Sequence, residues 1–145
     1  MIYWLTGQPG SGKTTIAKEL CRIGRVGLYS NWFNIDGDDI RNLFDNKDYS
    51  EQGRRKNIEV AQQIAKYLNT QGKDVVVSLV SPYKDQRDNF KEKMGDDLKE
   101  IYIHTNEVRG REQFFVEDYQ APKENYLYIC TDNMTVNECA RKILN

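Results

Sequence analysis

Apolar residues recur along the chain with two different spacings, and the two alternate. Ile2-Tyr3-Trp4-Leu5-Thr6 is a short β-prone run and predicts a first strand. A Gly-rich segment follows, and from Lys13 to about Ile23 the apolar residues fall at helical spacing. Leu28 to Ile35, aromatic and β-branched, predicts a second strand ended by Asp36-Gly37. Asp38 to Phe44 suits a short helix with Asp38 as its N-cap. From Glu51 to Asn69 the positions of Ile58, Ala61, Ile64, Ala65 and Leu68 predict a long helix, stopped at Gly72. Asp74 to Ser81 is a run of branched residues with no polar face, as a strand buried on both sides would be. Tyr83 to Met94 predicts a charged helix, Glu100 to Thr105 and Tyr126 to Thr131 the last two strands, and Val136 to Leu144 a closing helix. Five strands alternating with helices imply an α/β fold, a five-stranded parallel sheet covered on both faces. Only Asn106 to Asn125 lacks clear periodicity, and its length marks it as a functional loop.

Composition narrows the class without choosing a function. A length of 145 residues fits a single domain spanning 1–145. With 21 Lys and Arg against 22 Asp and Glu, the net charge is -1, so no global field favours nucleic acid or a membrane surface. No apolar run is long enough for a membrane span, and Met1 to Thr6 is too short for the core of a signal peptide. Cys21, Cys130, Cys139 and the lone His104 have no metal-ligand spacing. A reduced, cytoplasmic setting is therefore expected.

The Gly-rich segment changes the picture. Gly7-Gln8-Pro9-Gly10-Ser11-Gly12-Lys13-Thr14 matches G-x-x-x-x-G-K-[ST] at every specified position, directly after a strand and opening a helix. Such a loop turns successive backbone N–H groups towards phosphate oxygens, and the helix N-terminus adds a favourable dipole. Gly7 to Thr15 thus predicts a nucleoside triphosphate site in which Lys13 bridges the β- and γ-phosphates and the Thr14 hydroxyl coordinates Mg²⁺. Asn46-Lys47-Asp48 has neither the spacing nor the position of a guanine-reading motif, which disfavours a GTPase, and the small size favours a kinase for a small acceptor.

Asp36 and Asp38 stand where the second strand ends, on the edge of the sheet that also carries the phosphate loop. One could deprotonate or orient an acceptor hydroxyl while the other holds Mg²⁺ through water. Arg54 and Asn57 share a face at the start of the long helix, and Arg41 lies one turn into the helix before it. Together they could clamp an anionic acceptor, since guanidinium forks match phosphate or sulfate oxygens. Arg55 and Lys56 read as solvated charge, as does the helix from Lys84 to Lys93 apart from Arg87.

The order of the phosphate loop, then Ile35-Asp-Gly-Asp-Asp-Ile-Arg41, then Tyr49-Ser50 with Arg54 and Asn57, then Val80-Ser-Pro-Tyr83 with Arg87-Asp88, resembles the adenylylsulfate kinases. The resemblance implies a P-loop NTPase fold of nucleotide-kinase type, a three-layer sandwich. The implied activity transfers the γ-phosphoryl of ATP, with Mg²⁺, to the 3′-hydroxyl of adenosine 5′-phosphosulfate. It also implies catalytic roles for Lys13, Asp36 and Asp38, and substrate contacts at Arg41, Arg54 and Asn57. Tyr49 with Phe114 or Phe115 would sandwich the adenine, beside the backbone of Val80 and Ser81. Many family members are dimers, so a homodimer is an open possibility. This chain departs from the family pattern in four places: Gly53 and Lys56 replace acids, Glu59 or Val60 replaces an arginine, and the basic lid between Thr105 and Phe114 is largely deleted. Arg109 or Arg111 is left to supply the lid's cation. Competing expectations are a kinase for a nucleoside, a polynucleotide 5′-end or a modified DNA base, and a nucleotide-binding protein without catalysis.

Overall fold

The computed structural model describes residues 1–25 and 31–145. The described residues form five strands: β1 (Ile2–Thr6), β2 (Trp32–Asp36), β3 (Asp74–Ser78), β4 (Leu98–His104) and β5 (Leu127–Cys130). The helices are α1 (Lys13–Gly24), α2 (Gly37–Leu43), α3 (Glu51–Thr70), α4 (Lys84–Met94) and α5 (Val136–Leu144). All strand pairs are parallel, in the order β2-β3-β1-β4-β5. This is the expected α/β fold with a five-stranded parallel sheet. The Leu28 to Ser30 part of the predicted second strand lies outside the described residues.

Alternation along the strands builds a core on each face. Ile2 and Trp4 of β1 and Val75 and Val77 of β3 pack with Ile58, Ala61 and Ala65 of α3 and Phe90 of α4. Leu5 and Val76 point the other way, against Ile16 and Leu20 of α1 and Ala140 and Ile143 of α5. Two buried faces explain why β3 reads as an unbroken run of valines.

Parallel pairing brings all five carboxyl ends to one edge. Register sets Asp36 opposite Ser78, and Ser78 opposite Leu5. β3 stops at Ser78, three residues before the sequence suggests, so Leu79 to Ser81 leave the sheet and turn over that edge. Ser81 takes a left-handed backbone, φ 47°, a conformation a non-glycine residue adopts only when its surroundings hold it there.

One helix cap is also corrected. Asp36, not Asp38, caps α2: its Oδ1 accepts the Asp38 N–H at 2.9 Å. Asp38 and Asp39 sit in the first helical turn, where the helix dipole favours negative charge. Ser50 caps α3, and Thr135 with Glu138 forms a capping box on α5.

Candidate active site

The phosphate loop leaves β1 at Thr6 and enters α1 at Lys13. Gly10 and Gly12 hold left-handed backbone, φ 83° and 105°, which side chains rarely tolerate. Thr14 Oγ1 donates to Asp36 Oδ2 at 3.1 Å, joining the start of α1 to the end of β2. A hydroxyl and a carboxylate this close suit a hard cation that takes its remaining ligands from phosphate and water. Lys13 is buried and donates to the Gln8 carbonyl at 2.9 Å. Burial pushes its ammonium down to about 8, against the opposing pull of Asp36.

In front of the loop a cleft of about 870 Å³ collects the predicted residues. Pro9, Gly10, Gly12, Lys13, Thr14 and Thr15 line it on one side; Gly7, Gln8 and Ser11 belong to the loop but not to the lining. Asp36, Asp38, Arg41, Tyr49, Arg54 and Asn57 line the acceptor side, with Val80, Ser81 and Phe114. Ser78 Oγ, Ser81 Oγ and Asn57 Oδ1 are buried here without a partner among the described residues. Buried polar atoms are normally satisfied, so such a group in a cleft marks where a polar ligand binds.

The arginines divide their tasks. Arg41 donates through one terminal nitrogen to the carbonyls of Asn46 and Asp48, each at 3.0 Å, and lies 4.0 Å over the Tyr49 ring. It holds Tyr49 flat while leaving that ring exposed to the cleft. Arg54 pairs with Asp118 at 3.7 Å, a contact that solvent weakens. Arg55 is not merely solvated: it forks onto Asp85 at 3.0 and 3.1 Å and stacks 4.1 Å over Tyr83.

Gly53 owes its place to a close approach. A Cβ there would lie 2.1 Å from the Asp48 carbonyl oxygen, and the Gly53 carbonyl accepts from Asn46 Nδ2 at 3.0 Å. The loop carrying Tyr49 thus lies directly on α3. In an exposed helix, Ala is worth about 1 kcal/mol more than Gly; here the sign reverses. Gly53→Ala should cost about 1–3 kcal/mol through overpacking, read by thermal melting. An unchanged or raised Tm would contradict the contact.

The strap from Thr105 to Tyr126 contains one turn of 3-10 helix, Glu112–Phe114. Its two halves differ, a distinction the sequence does not carry. Residues 116–120 are anchored: the Gln120 N–H donates to the Pro82 carbonyl at 2.9 Å, and the Tyr119 hydroxyl meets Thr6 Oγ1 at 3.0 Å. Arg87 ties the anchor to the turn that follows β3, donating to the carbonyls of Ser81 at 2.6 Å and Gln120 at 2.5 Å. Arg109 is occupied by Glu107 at 3.1 Å and Thr131 at 3.0 Å. Arg111 has no ion pair among the described residues; it stacks over Phe114 at 5.2 Å and faces the cleft. Its charge opposes that of Lys13 and helps to lower the Lys13 ammonium.

The chain is similar to known proteins in both sequence and fold. The chain matches the family model for adenylylsulphate kinase over residues 1–124. The adenylyl-sulfate kinase of Clostridium kluyveri is 28% identical over 165 aligned positions, covering 100% of this chain and 82% of that one. The cytidine diphosphoramidate kinase of Campylobacter jejuni is 37% identical over 102 positions, covering 70% of this chain and 59% of that one. The APS kinase CysC of Mycobacterium tuberculosis, in complex with AMPPNP and APS, shares the fold: TM-score 0.82 at 22% identity, over 99% of this chain and 94% of that one. Because the family match runs from the first strand through most of the strap that borders the cleft, the chain belongs to the adenylylsulphate kinase family and is a phosphotransferase.

Proposed function

We propose that this single-domain protein transfers the γ-phosphoryl group of ATP to the 3′-hydroxyl of adenosine 5′-phosphosulfate. The observation that carries the reading is one cleft lined by Lys13, Thr14, Asp36, Asp38, Arg54, Asn57, Tyr49 and Phe114. Backbone N–H groups of the Gly7 to Thr15 loop, Pro9 excepted, cradle the phosphates, and Lys13 neutralises charge that grows on the β- and γ-oxygens. Thr14 and Asp36 would hold Mg²⁺, which would help to neutralise the phosphate charge when bound. Asp36 or Asp38 accepts the proton of the acceptor hydroxyl and keeps it aligned.

On the acceptor side, Arg54 and Arg41 face the anionic end, and the orphaned amide oxygen of Asn57 would accept from a hydroxyl or amine elsewhere on the substrate. Tyr49, backed by Arg41, and Phe114 offer stacking surfaces for the base, about 1–3 kcal/mol each. Arg111 rather than Arg109 supplies the cation of the shortened lid, because Arg109 is already held by Glu107 and Thr131. Among the described residues no helix is long and apolar enough to cross a membrane; together with the need for ATP, this supports a cytoplasmic location.

A second reading follows from the Campylobacter jejuni relative, a cytidine diphosphoramidate kinase. Both acceptors are nucleoside 5′-phosphates that carry a further small group on the phosphate. ATP consumption should therefore be measured with adenosine 5′-phosphosulfate, a cytidine 5′-diphosphoramidate, a nucleoside and an oligonucleotide. Turnover with the phosphosulfate supports the first reading, and turnover only with the cytidine compound supports the second. Turnover confined to the nucleoside or oligonucleotide overturns both, and none at all indicates nucleotide binding without catalysis.

Asp36→Asn separates capping from chemistry. Asparagine caps helices as well as aspartate does, so stability should change little. Loss of the charge beside Thr14 should lower kcat by about 10²–10⁴-fold, measured in the same assay. Wild-type turnover in this variant would remove Asp36 from the mechanism.

A further inference from the structure

The side chain of Gln8 occupies a position of the phosphate-loop motif that admits any residue, and its local sequence gives it no task. In the structure its carboxamide makes a two-point clamp on a residue 108 positions away. Nε2 donates to the Val116 carbonyl at 2.8 Å, and Oε1 accepts the Val116 N–H at 2.9 Å. Both backbone groups of one residue are thereby satisfied by one side chain, the pairing a neighbouring strand would otherwise provide. Among the described residues, no other side chain outside the strap hydrogen-bonds to residues 110–117. Val116 directly follows Phe114 and Phe115, and Arg111 opens the same 3-10 turn. All four line the cleft.

We propose that Gln8 is a positioning residue that couples the phosphate loop to acceptor binding: it holds the Arg111–Val116 segment over the cleft in place of a longer lid. This rests on the acceptor-site reading given above. The same residue joins the two halves of the site, since its main-chain carbonyl accepts from Lys13 at 2.9 Å while its side chain carries the strap. A phosphate that draws the Lys13 ammonium away acts on the peptide whose side chain sets Phe114 and Arg111. Occupancy of the phosphate loop thus has a structural route to the wall against which the acceptor packs.

Gln8→Met keeps the length of the side chain and removes both hydrogen bonds. Gln8→Glu keeps an acceptor for the Val116 N–H but sets an oxyanion against the Val116 carbonyl. Two measurements decide the matter in the full-length protein. The first is the rate of trypsin cleavage after Arg109 and Arg111, which needs no acceptor. The second is the KM for adenosine 5′-phosphosulfate against the KM for ATP. Expected for both variants are cleavage at least about fivefold faster and an acceptor KM raised about tenfold, with the ATP KM raised far less. Unchanged cleavage, an unchanged acceptor KM, or an equal rise in both KM values overturns the proposal. If wild-type protein turns over no nucleotide acceptor, the acceptor reading fails, and cleavage alone then decides whether Gln8 holds the strap.

Discussion

Lys13→Met should abolish most turnover while making the protein more stable. The catalytic loss follows from the proposed role of Lys13 beside the transferred group; deleting a single stabilising donor of a transition state costs about 10²–10³-fold. The gain in stability follows from burial. Lys13 is 8% exposed, and desolvation lowers its ammonium from 10.5 to about 8. The unfolded chain therefore binds the proton more tightly than the folded one. Below about pH 8 the folded state carries the full penalty, on the order of 3 kcal/mol; between about 8 and 10.5 it is relieved as the pH rises, so this group makes stability increase with pH. Methionine removes the charge and with it the penalty, so its Tm at pH 7 should exceed that of the wild type, less what is lost with the Gln8 contact. Activity runs the opposite way. In the free enzyme kcat/KM for ATP should fall as the pH rises through about 8, because the neutral amine no longer attracts phosphate. A methionine variant that melts lower, or one that turns over at the wild-type rate, would contradict this account of the loop.

The residues that local rules govern are the ones the sequence discloses. Gly10 and Gly12 are glycines because of the backbone they adopt, and Lys13 and Thr14 follow at fixed offsets. The valines of β3 are legible because both faces of a central parallel strand are buried. The same period logic carries α3 and α5, where a single helical face meets the core. Legibility fails where a contact joins distant segments. Asp36 and Asp38 are both good caps, and only the end of β2 decides that Asp36 takes the role. Gly53 looks like a weak helix residue until the Asp48 carbonyl lies against it. Arg55 reads as solvated charge, yet it finds Asp85 across a helix pair; Arg87, set apart from the solvated charge of its helix, is buried against Glu100, a partner 13 residues away that nothing local names. The strap reads as one irregular loop because its anchors, Thr6, Gln8, Pro82 and Arg87, all lie far from it in sequence. The family resemblance covers the loop and acceptor residues; it is silent on the packing that sets them.

Arg87→Met should bring the largest loss of stability of any single substitution away from the phosphate loop. The Arg87 and Glu100 side chains are 1% and 2% exposed and meet at 2.9 Å. Glu100 also accepts from Lys91 at 2.5 Å, so the acid is held by two cations. Removing one partner of a buried pair costs about 3–5 kcal/mol because the other charge stays behind. Lys91 moderates that penalty, but the Ser81 and Gln120 carbonyls lose their Arg87 donors at the same time. Lysine cannot replace the fork, so Arg87→Lys should recover only part of the loss. The consequence reaches the site, because Ser81 lines the cleft in a strained conformation and Gln120 anchors the strap behind Phe114. Chemical denaturation should show the destabilisation, with a raised acceptor KM in whatever fraction stays folded. A cycle with Glu100→Gln tests the cause: once the acid is neutral, losing Arg87 should cost markedly less than in the wild-type background. Additive losses, or a single-variant cost under about 1 kcal/mol, would mean that the pair remains solvated in the folded protein.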